Sequence, residues 1–165
     1  MKSILRHTAG AASLMVAASS FAAGSLSVSR EMVVERPAAT VWKLVGSFNS
    51  LDVWFPPVRG SSFTGNATQP GAIRVLELGN NARVTEKLVT FDTAAHRYSY
   101  AFLSSPLPVK NYVAAIELSA AGEGKTRVKW SATFDADGAP DDKAKEAILG
   151  IYDAGLGKLA AIFRE

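Results

Sequence analysis

The sequence predicts an α+β fold in which a seven-stranded antiparallel sheet curls around one long C-terminal helix, with two short helices after the first strand. Three observations predict it. Residues 58–135 read as short alternating runs separated by turn residues, almost without interruption. One long amphipathic stretch, 140–163, closes the chain. Between 71 and 91, two alternating runs flank Gly79-Asn80-Asn81, a hairpin signal that makes the pairing antiparallel. A curved sheet wrapped on a single helix does not fill its own concave side, and such hollows bind small molecules.

The chain has 165 residues, enough for one domain with a substantial core. Its first 22 are read as a cleaved leader. Lys2 and Arg6 form a basic start, an Ala-rich apolar run follows over 9–18, and Ser20-Phe21-Ala22 places small residues at the last and third-last positions. Cleavage is expected after Ala22, with Ala23 as the alternative. The run is too short for the ~20 residues of a membrane span. Residues 23–165 then form the single domain. The leader holds two of the 18 Lys and Arg and none of the 15 Asp and Glu. Its removal lowers the net charge from +3 to about +1, which argues against nucleic-acid binding. No second apolar stretch is long enough to span a bilayer, so stable membrane insertion is not expected. There is no cysteine, which excludes disulfides, thiolate chemistry and cysteine-ligated zinc. The product is expected in the periplasm or outside the cell.

Residues 26–35 form the first strand, with Leu26, Val28, Met32 and Val34 on one face and Arg30, out of pattern, on the same face. Pro37 suits the first turn of a helix over 38–48, where Val41, Trp42, Leu44 and Val45 keep helical spacing. Residues 51–55 make another helical turn, stopped by Pro56-Pro57. Strands follow over 58–65, 71–78, 82–91, 97–103, 111–118 and 126–134. The last alternates most cleanly. Val128, Trp130, Ala132 and Phe134 share one face, and Arg127, Lys129, Ser131 and Thr133 the other, the mark of a sheet covered on one side. In the final helix, Ile148, Ile151, Gly155, Leu159 and Ile162 form one stripe, and Leu149, Tyr152, Leu156 and Phe163 an adjacent one.

The hairpin fixes a register. With a three-residue loop, Leu78 faces Ala82, Leu76 faces Val84 and Arg74 faces Glu86, all on one side of the sheet. The alternation of Val84, Glu86 and Leu88 against Arg83, Thr85 and Lys87 turns that side inward. An ion pair would then point into the hollow, to orient a polar ligand group or, partly solvated near the mouth, only to brace the hairpin. A two-residue Asn80-Asn81 loop would undo the opposition. Tyr98, Tyr100, Tyr112, Trp130 and Tyr152 are expected to reach the same interior, with Leu156 beside Tyr152; buried Tyr and Trp need partners for their polar tips. Residues 54–57 and 104–108 are apolar loops suited to a cavity entrance.

Glu35-Arg36-Pro37-Ala38 with Val41-Trp42, Asp52-Val53-Trp54-Phe55-Pro56, Gly71-Ala72-Ile73-Arg74, Thr85-Glu86-Lys87-Leu88 leading to Asp92, Tyr98-Ser99-Tyr100, Pro106-Leu107-Pro108 before Tyr112, and Val128-Lys129-Trp130 together resemble the START/Bet v 1-like superfamily, SRPBCC, and within it the polyketide cyclase/dehydrase-like group. The resemblance covers residues 23–165 and rests on order and spacing. It implies a helix-grip fold with a cavity between sheet and helix. On leader and size, the chain also resembles the MxaD-type accessory proteins of periplasmic methanol oxidation.

His96 is the sole histidine beyond the leader and sits in a polar turn, so no histidine metal site or triad can form. Asp135, Asp137, Asp141 and Asp142 lack calcium-loop spacing. No cofactor is expected. Three functions fit: an exported protein holding a small hydrophobic or amphipathic molecule such as a lipid; a cyclase/dehydratase-like enzyme using Glu86 as acid or base with Arg74 and a tyrosine; or an accessory protein bound to a periplasmic dehydrogenase.

Overall fold

The computed structural model describes residue 21 and residues 23–164; the expected leader lies, Phe21 apart, outside them. The order is β1 (Leu26–Val34), α1 (Ala38–Val45), α2 (Leu51–Trp54), β2 (Val58–Thr64), β3 (Ile73–Leu78), β4 (Arg83–Asp92), β5 (Arg97–Ser104), β6 (Val109–Ala120), β7 (Thr126–Ala136) and α3 (Asp141–Ile162). All seven strands form one antiparallel sheet, ordered β1-β7-β6-β5-β4-β3-β2. This is the helix-grip architecture.

Register is pinned on both faces. Inside, Val128, Trp130, Ala132 and Phe134 of β7 are buried with Tyr98 and Tyr100 of β5 and Tyr112, Ala114, Ile116 and Leu118 of β6. Outside, Glu31, Lys129, Glu117, Arg97 and Asp92 follow one another across five strands with alternating sign. Opposite charges placed directly across strands contribute ~0.2–1 kcal/mol per pair. A one-residue slip would bring the aromatic face into water and break this ladder together. Arg30, out of pattern in the sequence, is on the inner face at the sheet edge. There its Nε donates to Asp153 Oδ1 on α3 at 2.7 Å, so the edge strand is latched to the helix.

β6 starts at Val109, two residues earlier than the alternation predicts. A bulge between Lys110 and Val113, with Asn111 at φ 52°, breaks the period-two pattern there. The Asn111 amide donates to Asp135, which also accepts from the backbone and hydroxyl of Ser25. These bonds hold the Asp135 carboxyl at about 2, below its ordinary value, and clasp the start of the domain to β7.

α3 crosses the concave side with Ala144, Ile148, Tyr152, Gly155, Leu156 and Leu159 buried. Gly155 is a notch. A Cβ there would lie 2.7 Å from Trp130 Cζ3 and 3.3 Å from ring atoms of Trp54 and Phe55, whereas at Gly157 it would meet nothing described within 4 Å. The two glycines therefore predict opposite outcomes. Gly155→Ala should lose about 1–2 kcal/mol through overpacking. Gly157→Ala should gain about 0.5–1 kcal/mol through helix propensity. Urea denaturation of both variants checks this; a neutral Gly155→Ala would show that the rings do not depend on the notch.

Candidate ligand cavity

The β3–β4 turn is the three-residue loop. Leu78 N donates to Ala82 O at 2.8 Å, and Asn81 takes the left-handed conformation at φ 63°. Arg74 is paired opposite Glu86 as that loop requires. Both side chains are buried, at 0% and 3% exposure, so the pair does not sit in solvent at the mouth. The reason is non-local. Arg74 Nε donates to Glu86 Oε2 and its Nη1 to the backbone carbonyl of Phe48, in the turn between α1 and α2. The Phe48 ring then covers the guanidinium at 4.2 Å, with Tyr100 at 5.0 Å. Burial raises the Glu86 pKa, and the Arg74 charge and hydrogen bond pull it part of the way back. Burial works against the Arg74 charge, yet Glu86 and the neighbouring phenols hold its pKa above the ordinary value. A guanidinium does not deprotonate in a protein, so Glu86 carries the compensating negative charge at neutral pH.

The aromatic groups form two hydrogen-bonded pairs. Trp130 Nε1 donates to the Tyr100 hydroxyl at 2.9 Å, and the Tyr112 and Tyr152 hydroxyls bond each other at 2.7 Å. Trp130 stacks on Tyr152 with centroids 4.4 Å apart, and Phe102 on Tyr112 at 3.8 Å. The Tyr98 hydroxyl, on the far side of Phe48 and against Trp42 and Phe91, has no partner among the described residues.

Between these groups and α3 lies a cavity of about 150 Å³. Glu86, Tyr100, Tyr112 and Trp130 line it, joined by Leu76, Val84, Phe102, Leu107 and Ile151. The other expected residues stand outside the lining. Arg74 is sealed behind Phe48 and Tyr100. Tyr98 belongs to the cluster around Trp42. Tyr152 is screened by the face of Trp130 stacked on it, and Leu156 is core. Phe55 and Pro57 from the first apolar loop, and Leu107 from the second, reach the lining. Phe102 and Ile151 carried a signal, the alternation of Tyr98, Tyr100 and Phe102 and the main stripe of α3. Phe48, which closes the space around the ion pair, carried none. His96 is half-buried, its ring 5.4 Å from Trp42.

Larger depressions are open to solvent: about 430 Å³ on the outer sheet face, about 560 Å³ between the end of β1 and the end of α3, and about 260 Å³ beside the β3–β4 turn. None of them is enclosed by the core. Among the described residues there is no cluster of His, Asp and Glu able to hold a metal ion, and no helix long and apolar enough to cross a membrane.

Residues 25–164 match the family model described as polyketide cyclase/dehydrase and lipid transport. The chain belongs to this family. Within the polyketide cyclase/dehydrase group, the chain is similar to the protein XoxI from Bacillus cereus, with 28% identity over 84% of this chain and 96% of that one and a TM-score of 0.79. It is also similar to a protein from Thermobifida fusca, with 32% identity, 83% and 92% coverage and a TM-score of 0.74. The Zhui aromatase/cyclase from a Streptomyces species shares the fold, with 16% identity over 82% of this chain and 89% of that one and a TM-score of 0.66. A comparison with curated proteins gives no match.

Proposed function

We propose that this polyketide cyclase/dehydrase family member is an exported binding protein that holds a small hydrophobic molecule between the sheet and α3. One observation carries the reading: an apolar, aromatic-lined cavity reaches a buried carboxylate on rigid strands. A sheet built only for stability has no need of a charge at that depth, since a buried ion pair contributes weakly to folding. The test is native mass spectrometry of the full chain produced with its leader and recovered from the cell envelope. The protein should begin at Ala23 and carry the mass of a bound compound that denaturation releases. Protein that is empty, and whose melting temperature no candidate ligand shifts, would falsify the binding role.

A second reading, a cyclase/dehydratase-like enzyme, is favoured by the raised Glu86 pKa beside phenols in the same cavity. Glu86 would take a proton from a carbon next to a ligand carbonyl while a tyrosine hydroxyl donates to the carbonyl oxygen. Turnover that survives Glu86→Gln in folded protein removes this role.

A further inference from the structure

The size and charge of the cavity narrow the occupant. We propose that it takes a neutral, single-ring compound with one hydroxyl group, such as a phenol or ring alcohol, rather than a lipid chain, a carboxylate or a phosphate ester. The inference rests on the binding role above and adds the chemical class.

Volume comes first. About 150 Å³ is half the lower end of ordinary ligand pockets, roughly 300–1,000 Å³. It matches an engineered apolar cavity that admits one benzene ring, roughly 150 Å³ in size. A fused polycycle or an acyl chain does not fit without displacing Trp130, Tyr152 or α3, which are locked by stacking and the Gly155 notch. Shape agrees, since Tyr100, Phe102, Tyr112 and Trp130 present ring surfaces.

Charge comes second. Glu86 is the single charged side chain in the lining. Arg74 stands outside the lining: Nε is engaged by Glu86 and Nη1 by Phe48, the rings of Phe48 and Tyr100 lie over the guanidinium, and Nη2, without a partner among the described residues, is fully buried behind them. An anionic ligand would meet a negative charge with no cation in the lining to receive it. The polar complement is also specific. Glu86 uses Oε2 for Arg74, so Oε1 remains an acceptor. The Tyr100 oxygen accepts from Trp130, which leaves its own proton to donate. One acceptor beside one donor is the complement of a hydroxyl, which gives one hydrogen bond and receives another.

Calorimetric titration of the full protein with para-cresol, toluene, benzoate and palmitate at neutral pH tests this. Para-cresol should bind about tenfold more tightly than toluene, the difference being a hydrogen bond to a charged acceptor. Benzoate and palmitate should show no saturable binding. Tyr100→Phe keeps the ring and should reduce the preference for cresol while leaving toluene unchanged; a folded variant with the full preference overturns the assignment. Palmitate or benzoate binding as well as cresol overturns the ring-alcohol inference and leaves the carrier role standing. Silence from all four overturns both.

Discussion

Arg74→Met should destabilise the protein by about 3–5 kcal/mol, because it leaves the Glu86 carboxylate buried without its partner. Glu86→Leu should cost a similar amount by leaving the guanidinium unpaired. Small domains have only about 5–15 kcal/mol in total, so either single variant approaches global unfolding at ambient temperature. The double variant Arg74→Met/Glu86→Leu should recover most of the loss, since two apolar side chains of similar volume suit a site already walled by Phe48, Tyr100 and Leu76. Recovery falls short by about 1–3 kcal/mol, because the buried Phe48 carbonyl loses the Arg74 Nη1 donor. A double-mutant cycle by urea denaturation measures each quantity. Single variants that lose less than about 1 kcal/mol would mean that the pair is solvated and the cavity has no buried acid. The double variant also separates stability from function: it should fold, bind toluene, and discriminate poorly between toluene and cresol.

The register beneath that prediction was legible in the sequence because it is set locally. Gly79, Asn80 and Asn81 dictate the loop, and alternation on β4 dictates which face turns inward, so the opposition of Arg74 and Glu86 follows within fifteen residues of chain. What covers the pair does not follow. Phe48 comes from a turn 26 residues before Arg74, and nothing in its surroundings marks it as a lid over a guanidinium. Arg30 is similar: an anomaly in the first strand whose explanation, Asp153, is 123 residues away. The number of tyrosines near the hollow was readable from period two and from helix spacing. Which of them face the space was not, because Trp130 stacking on Tyr152, and Phe48 standing between Tyr98 and the cavity, are tertiary arrangements. The small volume was equally hidden, since it depends on α3 approaching closely enough at Gly155 for three rings to close on it.

Alkaline unfolding should be steep and should involve all four tyrosines at once. Tyr98, Tyr100, Tyr112 and Tyr152 are the only tyrosines of the chain, and each is buried. Burial raises every phenol. Tyr98 goes up to about 12, and Tyr100, Tyr112 and Tyr152 also stand above their ordinary value. The folded protein thus holds these protons more tightly than the unfolded chain, whose phenols titrate at about 10. The stability they confer is complete below about pH 10 and is lost as pH rises through the folded values. For Tyr98 alone the loss is about 2.7 kcal/mol across its shift of roughly two units. With four protons taken up by the folded state, stability falls by up to about 5–6 kcal/mol per pH unit above pH 10. A domain of ordinary stability then unfolds between about pH 11 and 12. In a spectrophotometric titration, tyrosinate absorbance should stay flat past pH 10 and then rise in one step, together with loss of the far-ultraviolet circular dichroism. A fraction corresponding to one tyrosine that ionises near pH 10, while the circular dichroism is unchanged, would show that one phenol is open to water and that the interior described above is not closed. Replacing one phenol sharpens the test. Tyr98→Phe removes a buried hydroxyl that has no described partner, so it should leave neutral stability unchanged or slightly raised and make the alkaline slope shallower by one proton. Tyr112→Phe removes one proton as well, but it strips the Tyr152 hydroxyl of its partner and should cost about 1–3 kcal/mol at neutral pH.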